Sequence, residues 1–484
     1  MIKAENKILK YFTSFFSVEV ILFVGSFITF PIFTRILTKD EYGLMSLITL
    51  TLFLIVTLMS GGLNHSVLRF YNHYEKNNLS SFVETLRLSS FIFGIIAILL
   101  FVFIVQILQS TNIIGVDTWL LLLLVSPLIL IRIVSRLELT YLRIKQNIFA
   151  LNLFNILIRY GGIGASITLV LIYKNLISLY AGLCLAELFI LLVIIFSAKK
   201  NYFKISFNRE ILKESLHYGI PLGINALFIF IMTAADKYVI GYFEGAAKVA
   251  EYSVAFNFCN YAIELLRNVF LYTFIPLIMS DWNNKDEKTR HNLLTHYLSS
   301  YFWLIAPIAV GLSMTSHEGI RLLAGSQYGT TNKYLVPVLA VSLGINGLSF
   351  IYTSGLLYKK RTKLILNITI LLTVFNLGAN IVFVQMYGLI GAAVSSLLTQ
   401  IAYLFIGGCY TFRIIKFRIP YREILLSLIC GLFIWGLIRF MPTEIISINP
   451  LFMKISIGIS GYLVFLAFVN PSKIKELIGN FGSA

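Results

Sequence analysis

Residues 88–108 read LSSFIFGIIAILLFVFIVQIL and contain no charged side chain. A helix rises about 1.5 Å per residue, so a run of this length crosses the roughly 30 Å hydrocarbon core of a bilayer. Runs of this kind recur along the chain and predict an all-α integral membrane protein with about 14 transmembrane helices. The predicted spans are 11–34, 42–60, 88–108, 118–140, 150–173, 176–197, 216–241, 249–280, 297–316, 334–357, 364–384, 388–412, 423–440 and 449–469.

The composition of the 484-residue chain agrees with this assignment. Hydrophobic residues make up 58% and charged residues 13%, against about 45–50% and about 25% in soluble globular proteins. The mean hydropathy is +0.84. Too few polar residues are present to cover a water-soluble fold of this size, so lipid is the predicted solvent for most of the chain.

The basic residues are unevenly distributed between the predicted loops. Lys and Arg number 39 against 22 Asp and Glu. With the N-terminus inside, the predicted cytoplasmic segments hold 26 Lys and Arg and the outside loops hold 6. This bias follows the positive-inside rule and predicts that both termini are cytoplasmic. It also assigns most of the net charge of +17 to membrane topology rather than to nucleic-acid binding.

Two pairs of short segments recur at nearly the same offset. Residues 40–43 correspond to 250–253 at an offset of 210, and residues 175–178 correspond to 388–391 at an offset of 213. Because each repeat holds six spans, both halves start on the same side of the membrane and are predicted to be parallel repeats. The predicted domains are an N-terminal six-helix lobe at 1–200, a C-terminal six-helix lobe at 201–412, and two extra helices with a cytoplasmic tail at 413–484.

The eighth predicted span carries polar residues at steps of three and four, which places them on one helix face. These residues are Ser253, Asn257, Asn260, Tyr261, Glu264, Arg267 and Asn268. Glu264 and Arg267 are predicted to form an ion pair near mid-depth, where a charge costs about 2.5–3.5 kcal/mol even on the lenient insertion scale. Such a face indicates either a substrate site or interhelical hydrogen bonding.

Two other spans carry further candidates. Arg159 lies a little less than halfway across the fifth span, with Asn155 one turn earlier. In the eleventh span Asn376 and Asn380 are candidates, although interhelical hydrogen bonding is the favoured interpretation there.

Several charges lie nearer the ends of spans. Three of them are substrate-site candidates that can equally be interface anchors: Arg35, Asp236 and Lys237. Three arginines near the cytoplasmic end of the fourth span are predicted to snorkel, or to meet an anionic headgroup entering from inside: Arg132, Arg136 and Arg143.

The sequence lacks a nucleotide-binding G-x-x-x-x-G-K-[ST] motif, and its four cysteines lie far apart without a CxxC. No cofactor or metal is predicted, and the chain is not predicted to be an enzyme. Outward transport must then use an ion gradient or downstream consumption of the product. The candidate proton or sodium carriers are Glu19, Glu187 and Glu264.

Four stretches carry a resemblance to a known family. Residues 31–43 read PIFTRILTKDEYG, 235–241 read ADKYVIG, 249–255 read VAEYSVA and 387–393 read YGLIGAA. Over nearly the whole chain the sequence resembles the polysaccharide-transport branch of the multidrug/oligosaccharidyl-lipid/polysaccharide exporter superfamily.

The resemblance implies a flippase for undecaprenyl-diphosphate-linked repeat units of O-antigen (lipopolysaccharide), capsule or exopolysaccharide in the bacterial inner membrane. It implies alternating access and a cationic cavity that receives the lipid diphosphate. Arg159 and Arg267 are then the predicted diphosphate ligands, and Asn257 and Asn260 the sugar ligands. A polysaccharide polymerase and a chain-length regulator are the implied partners of a monomeric transporter.

Two alternatives remain open. A multidrug exporter of the same superfamily would typically need an acidic cavity for cations, whereas the mid-span charges here lean basic. A membrane glycosyltransferase or polymerase could use Asp40 and Glu41, but it would normally need a sizeable external loop, and the predicted outside loops are short.

Overall fold

The computed structural model describes residues 21, 24–75, 78–110, 116–197, 206–280, 287–329, 332–348, 356, 361–414, 419–440 and 450–469. The helices in the first half are α1 Val24–Ile36, α2 Lys39–Glu75, α3 Leu79–Ser110, α4 Val116–Val125, α5 Pro127–Ile144, α6 Ile148–Ile156, α7 Gly162–Tyr173, α8 Leu176–Ser197 and α9 Arg209–Glu244. Those in the second half are α10 Ala246–Ser280, α11 Glu287–Met314, α12 Ser316–Ala324, α13 Leu335–Asn346, α14 Thr362–Tyr387, α15 Leu389–Ile414, α16 Tyr421–Arg439 and α17 Pro450–Val469.

The chain is a multi-pass, all-helical membrane protein. Within the described residues, 11 helical segments are long and apolar enough to cross a membrane, and α1 and α13 are shorter apolar helices. Helix α10 coincides with the eighth predicted span and is not among those 11 segments. The total of 14 spans stays a prediction.

Several helices are longer than the apolar runs that predicted them. The predicted span 42–60 lies inside α2, because a helix continues past the bilayer wherever its backbone hydrogen bonds remain satisfied. The predicted span 118–140 is instead divided between α4 and α5. Pro127 starts α5, since proline lacks an N–H and suits the first turn of a helix.

The chain divides into two compact units, Met1–Ala234 and Ala235–Ala484, with the boundary inside α9. The two six-helix lobes and their limits stay a prediction.

Helix α5 is the centre of the first unit and packs against α2, α3 and α8. Its apolar face is fully buried, with Leu128, Ile129 and Ile133 at 0% exposure. Towards its C-terminus, Leu137 and Tyr141 join a cluster that includes residues of α2, α3 and α9. An arrangement of this kind places any charge on α5 against neighbouring helices rather than against lipid alone.

Small residues bring α2 and α9 into backbone contact. Ser66 Oγ donates a hydrogen bond to the Ser215 carbonyl at 2.6 Å. One turn away, Gly62 and Gly219 face each other without side chains, so the two backbones approach as closely as small residues allow in membrane helices.

Substituting Gly219 by alanine should therefore be costly. The new Cβ would lie 2.1 Å from the Gly62 carbonyl oxygen, and overpacking of this kind typically costs about 1–3 kcal/mol. Gly223→Ala is the matched control, because its Cβ would meet nothing nearer than the Gly62 nitrogen at 3.7 Å. Thermal unfolding of the purified variants should show a lower Tm for Gly219→Ala alone. Equal Tm values for the two variants would show that the backbones do not touch.

In the second unit, α10 packs against α11 and α13, and α15 packs against α13 and α14. The two C-terminal helices join the same unit. Trp303 of α11 is 1% exposed and lies in a cluster with residues of α16 and α17. Its indole N–H donates to Glu423 Oε2 at 2.6 Å. Lys454 of α17 forms an ion pair with Glu318 of α12 at 2.5 Å.

Candidate functional site: charged groups inside the membrane helices

Arg267 of α10 is held by two partners in the second unit. Its Nη2 lies 3.2 Å from Glu264 Oε1, which is the ion pair predicted from the i,i+3 spacing. Its Nη1 donates to Asn346 Oδ1 on α13 at 3.1 Å. The Arg267 and Glu264 side chains are 26% and 37% exposed, so a ligand can reach both.

Amide groups extend this contact at both ends. Asn260 Nδ2 donates to Glu264 Oε2 at 2.7 Å, and Asn346 Nδ2 donates to Gln400 Oε1 of α15 at 3.1 Å. The resulting polar chain joins three helices. Asn257 and Tyr261 are half-buried on the same helix as Asn260. An anion that displaced Glu264 from Arg267 would find a guanidinium already oriented by Asn346.

Arg159 lies in the first unit, within a single π-helical turn at Leu157–Gly161. Such turns often occur at functional sites, because they re-aim side chains within an otherwise regular helix. Its guanidinium is exposed and donates to the Ser26 hydroxyl of α1. Asn155 is half-buried one turn earlier. Arg159 therefore has a neutral partner, whereas one of the two partners of Arg267 is acidic.

Asp236 and Lys237 are buried inside the second unit, at 4% and 8% exposure. The Tyr252 hydroxyl donates to Asp236 Oδ2, and the Lys237 ammonium lies 4.9 Å from the centroid of the Phe256 ring. The alternative of interface anchors is wrong for these two residues, because an anchor needs access to the membrane surface. Arg35 is exposed at the C-terminal end of α1.

Asn376 and Asn380 of α14 are 1% and 0% exposed. Asn376 Nδ2 donates to Thr399 Oγ1 of α15 at 3.0 Å, and Asn380 Nδ2 donates to the Asn376 carbonyl at 3.0 Å. The hydrogen bond of Asn376 is interhelical, whereas that of Asn380 stays within α14. Because both side chains are buried, neither amide belongs to the proposed site.

Glu187 of α8 is an ion-pair partner in this structure rather than a single carboxylate. Arg132 of α5 donates to it from Nε at 2.9 Å and from Nη2 at 2.6 Å. The predicted snorkelling of Arg132 is therefore wrong, because its guanidinium turns to a neighbouring helix. Glu19, the remaining carboxylate candidate, lies outside the described residues.

Sequence reasoning missed a second bidentate pair on α5. Arg87 of α3 donates to both oxygens of Glu138, each at 2.8 Å. The predicted third span begins at residue 88, so the prediction places Arg87 in a cytoplasmic loop. Sequence analysis also missed Asn346 and Gln400, each of which is the only Asn or Gln in its predicted span and so formed no amide pattern at helical spacing.

Comparison with known proteins places the chain in a family. The profile of a family described as polysaccharide biosynthesis protein matches residues 32–333. A Klebsiella pneumoniae protein described as an uncharacterized membrane protein in cps region is 23% identical, over 95% of this chain and 94% of its own length. The probable low-salt glycan biosynthesis flippase Agl15 of Haloferax volcanii is 24% identical, over 62% of this chain and 63% of its own length.

Among solved structures, the lipid II flippase MurJ in an inward closed conformation is similar in fold. The TM-score is 0.76 at 18% identity, over 95% of this chain and 99% of that one. The family profile and the relatives indicate the same family, and the fold is consistent with it. The chain therefore belongs to the polysaccharide biosynthesis protein family, in the polysaccharide-transport branch of the multidrug/oligosaccharidyl-lipid/polysaccharide exporter superfamily.

Proposed function

We propose that this protein is a flippase for undecaprenyl-diphosphate-linked oligosaccharide repeat units, which it moves from the cytoplasmic to the outer leaflet of the plasma membrane by alternating access. The product would feed synthesis of a surface polysaccharide. We propose a monomer with both termini in the cytoplasm, working beside a polymerase and a chain-length regulator. It acts as a transporter and makes or breaks no covalent bond.

The observation that carries the proposal is the accessible polar chain around Arg267. A partly exposed guanidinium inside a membrane helix needs an anion, and in this structure Glu264 supplies it at 3.2 Å. A diphosphate offers paired oxygens that suit the planar fork of Arg better than a single carboxylate oxygen does. Before substrate binds, Glu264 would neutralise Arg267, and the headgroup would then replace Glu264 at the guanidinium.

The other polar residues on α10 suit the glycan. Asn257, Asn260 and Tyr261 supply amide and hydroxyl groups that can both donate and accept, as sugar hydroxyls require. Since Asn260 now donates to Glu264, release of Glu264 by the substrate would also free this amide.

The charge balance argues against a cation exporter. Glu264 is matched by Arg267 and Glu187 by Arg132, while Arg159 contacts a hydroxyl. These groups together are net basic, which suits an anionic substrate. The relatives, a probable glycan biosynthesis flippase and a membrane protein in a cps region, support the same substrate class.

Ion coupling would require a carboxylate that changes partner during the cycle. Glu264 fits this role better than Glu187, because its side chain is 37% exposed against 7% for Glu187. We propose that substrate displaces Glu264, which then binds a proton or sodium ion.

The proposal is tested in sealed proteoliposomes with a fluorescently labelled undecaprenyl-diphosphate-linked oligosaccharide. Translocation should exceed that of protein-free liposomes, and it should slow when the proton and sodium gradients are both collapsed. A rate unaffected by the gradients would remove the coupling role of Glu264 and leave flipping itself in place.

A further inference from the structure

Arg136 of α5 is a half-buried arginine that the proposed site does not use. Its Nη1 donates to Thr57 Oγ1 of α2 at 3.1 Å. The centre of its guanidinium lies 5.2 Å from the centroid of the Phe53 ring, also on α2. Within the described part of the chain, these two neutral groups are its polar and aromatic partners.

The neighbouring charges on α5 are neutralised. Arg132, one turn before Arg136, is paired with Glu187 through two hydrogen bonds. Glu138 is paired in the same way with Arg87. Each of these pairs sums to zero, so neither of the two nearest charges on α5 compensates the positive charge of Arg136.

An uncompensated guanidinium inside a membrane helix is costly unless an anion joins it. The Thr57 hydroxyl occupies one of the five N–H donors of Arg136, and an aromatic face adds only a modest attraction. The ring beside it, Phe53, is 48% exposed. Among the described residues, the other donors of this guanidinium have no hydrogen-bond partner, and they lie next to an exposed ring, where an anionic ligand could bind.

The position of Arg136 along α5 indicates at which stage of transport an anionic headgroup would bind to it. The residue lies eight positions before the end of α5, which is about 12 Å along a helix axis. The predicted topology puts this end of α5 at the cytoplasmic side. A headgroup assembled in the cytoplasm would meet Arg136 before it reached mid-depth.

We propose that Arg136 is a binding residue for the diphosphate of the lipid carrier at the cytoplasmic entry of the transport path. The inference rests on the proposed function and names a second headgroup contact for it. Thr57 orients the guanidinium and Phe53 covers one face of it. The remaining N–H groups of Arg136 would then donate to the phosphate oxygens. An anionic phospholipid headgroup offers related phosphate chemistry and is the competing source.

The test measures binding of undecaprenyl diphosphate to the purified full-length protein in nanodiscs, with and without phosphatidylglycerol. Arg136→Gln should weaken binding by roughly 10-fold or more, the effect of losing a charge-assisted contact. Arg136→Lys should recover part of the affinity, because it keeps the charge without the fork. Thr57→Val removes the hydrogen bond that orients Arg136 and leaves the charge, so it should weaken binding by less than Arg136→Gln does. Lys248→Gln is the matched control, because it removes one exposed positive charge outside the proposed sites, and its affinity should stay near that of the wild type.

Three results would overturn the proposal. The first is unchanged binding by Arg136→Gln with a Tm equal to that of the wild type. The second is an equal loss in Thr57→Val, which would make Arg136 a packing residue between α2 and α5. The third is loss of the Arg136 effect once phosphatidylglycerol is present, which would assign the site to bulk lipid. Failure of the wild type to translocate in the proteoliposome assay would instead overturn the proposed function, whatever the binding data show.

Discussion

Cells that express Arg267→Ala at wild-type protein levels should export little or no surface glycan. Arg267 is the group to which we assign the diphosphate, and loss of one strong charge-assisted contact costs about 1.5–3 kcal/mol, or roughly 10- to 150-fold in binding. The substitution also leaves Glu264 without its cation near mid-depth. Arg267→Lys should restore export only in part, because an ammonium cannot offer paired planar donors.

The chain offers a matched control on the same helix. Lys248 and Glu251 also form an i,i+3 pair at 2.9 Å, with the Lys248 side chain 46% exposed. Lys248→Ala should leave glycan export unchanged, since exposed pairs contribute about 0–1 kcal/mol. The double substitution Glu264→Arg with Arg267→Glu separates two roles. Recovery of export by this charge swap would mean that the pair is structural and that Arg267 does not bind the headgroup.

Breaking the Arg132–Glu187 pair should have the largest effect on stability. Arg132→Gln leaves a carboxylate whose side chain is 7% exposed without its cation, and loss of one partner of a buried pair costs about 3–5 kcal/mol. Glu187→Gln should cost less, because the Arg132 side chain it leaves is 27% exposed and nearer to water. Thermal unfolding of the purified variants measures both effects.

The double variant Arg132→Met with Glu187→Met completes this test. Apolar residues of similar length often replace a buried pair without loss of stability, so its Tm should return toward that of the wild type. Equal Tm values for both single variants and the wild type would show that the pair carries no stability. A stable double variant that no longer transports would show that the pair has a role in transport beyond stability.

The sequence predicted the helices well, because an apolar run long enough for a bilayer admits few other structures. The run 88–108 lies within α3, as expected. Hydropathy could not predict that α2 extends to Glu75, because the part of a helix that lies outside the bilayer is polar and resembles a loop in sequence. Pro127 predicted a bend within the fourth span, but not that the span is divided into two helices.

The contact between Glu264 and Arg267 could be predicted because the two residues are close in sequence. Glu264 and Arg267 are three residues apart on one helix, so helical periodicity alone brings them together. Arg132 and Glu187 are 55 residues apart and lie on different helices. Their pairing depends on how α5 packs against α8, which no local pattern specifies. The same limit explains why Arg136 could be interpreted as a snorkelling residue.

Translocation by purified protein tests the central claim most directly. The protein is reconstituted in liposomes with a fluorescent undecaprenyl-diphosphate-linked oligosaccharide, and a membrane-impermeant quencher reports how fast inner-leaflet label reaches the outer leaflet. The wild type should accelerate exposure of the label, Lys248→Ala should match it, and Arg267→Ala should fall to the rate of protein-free liposomes. A wild-type rate equal to that of protein-free liposomes, in vesicles shown to contain folded protein, would contradict a flippase function.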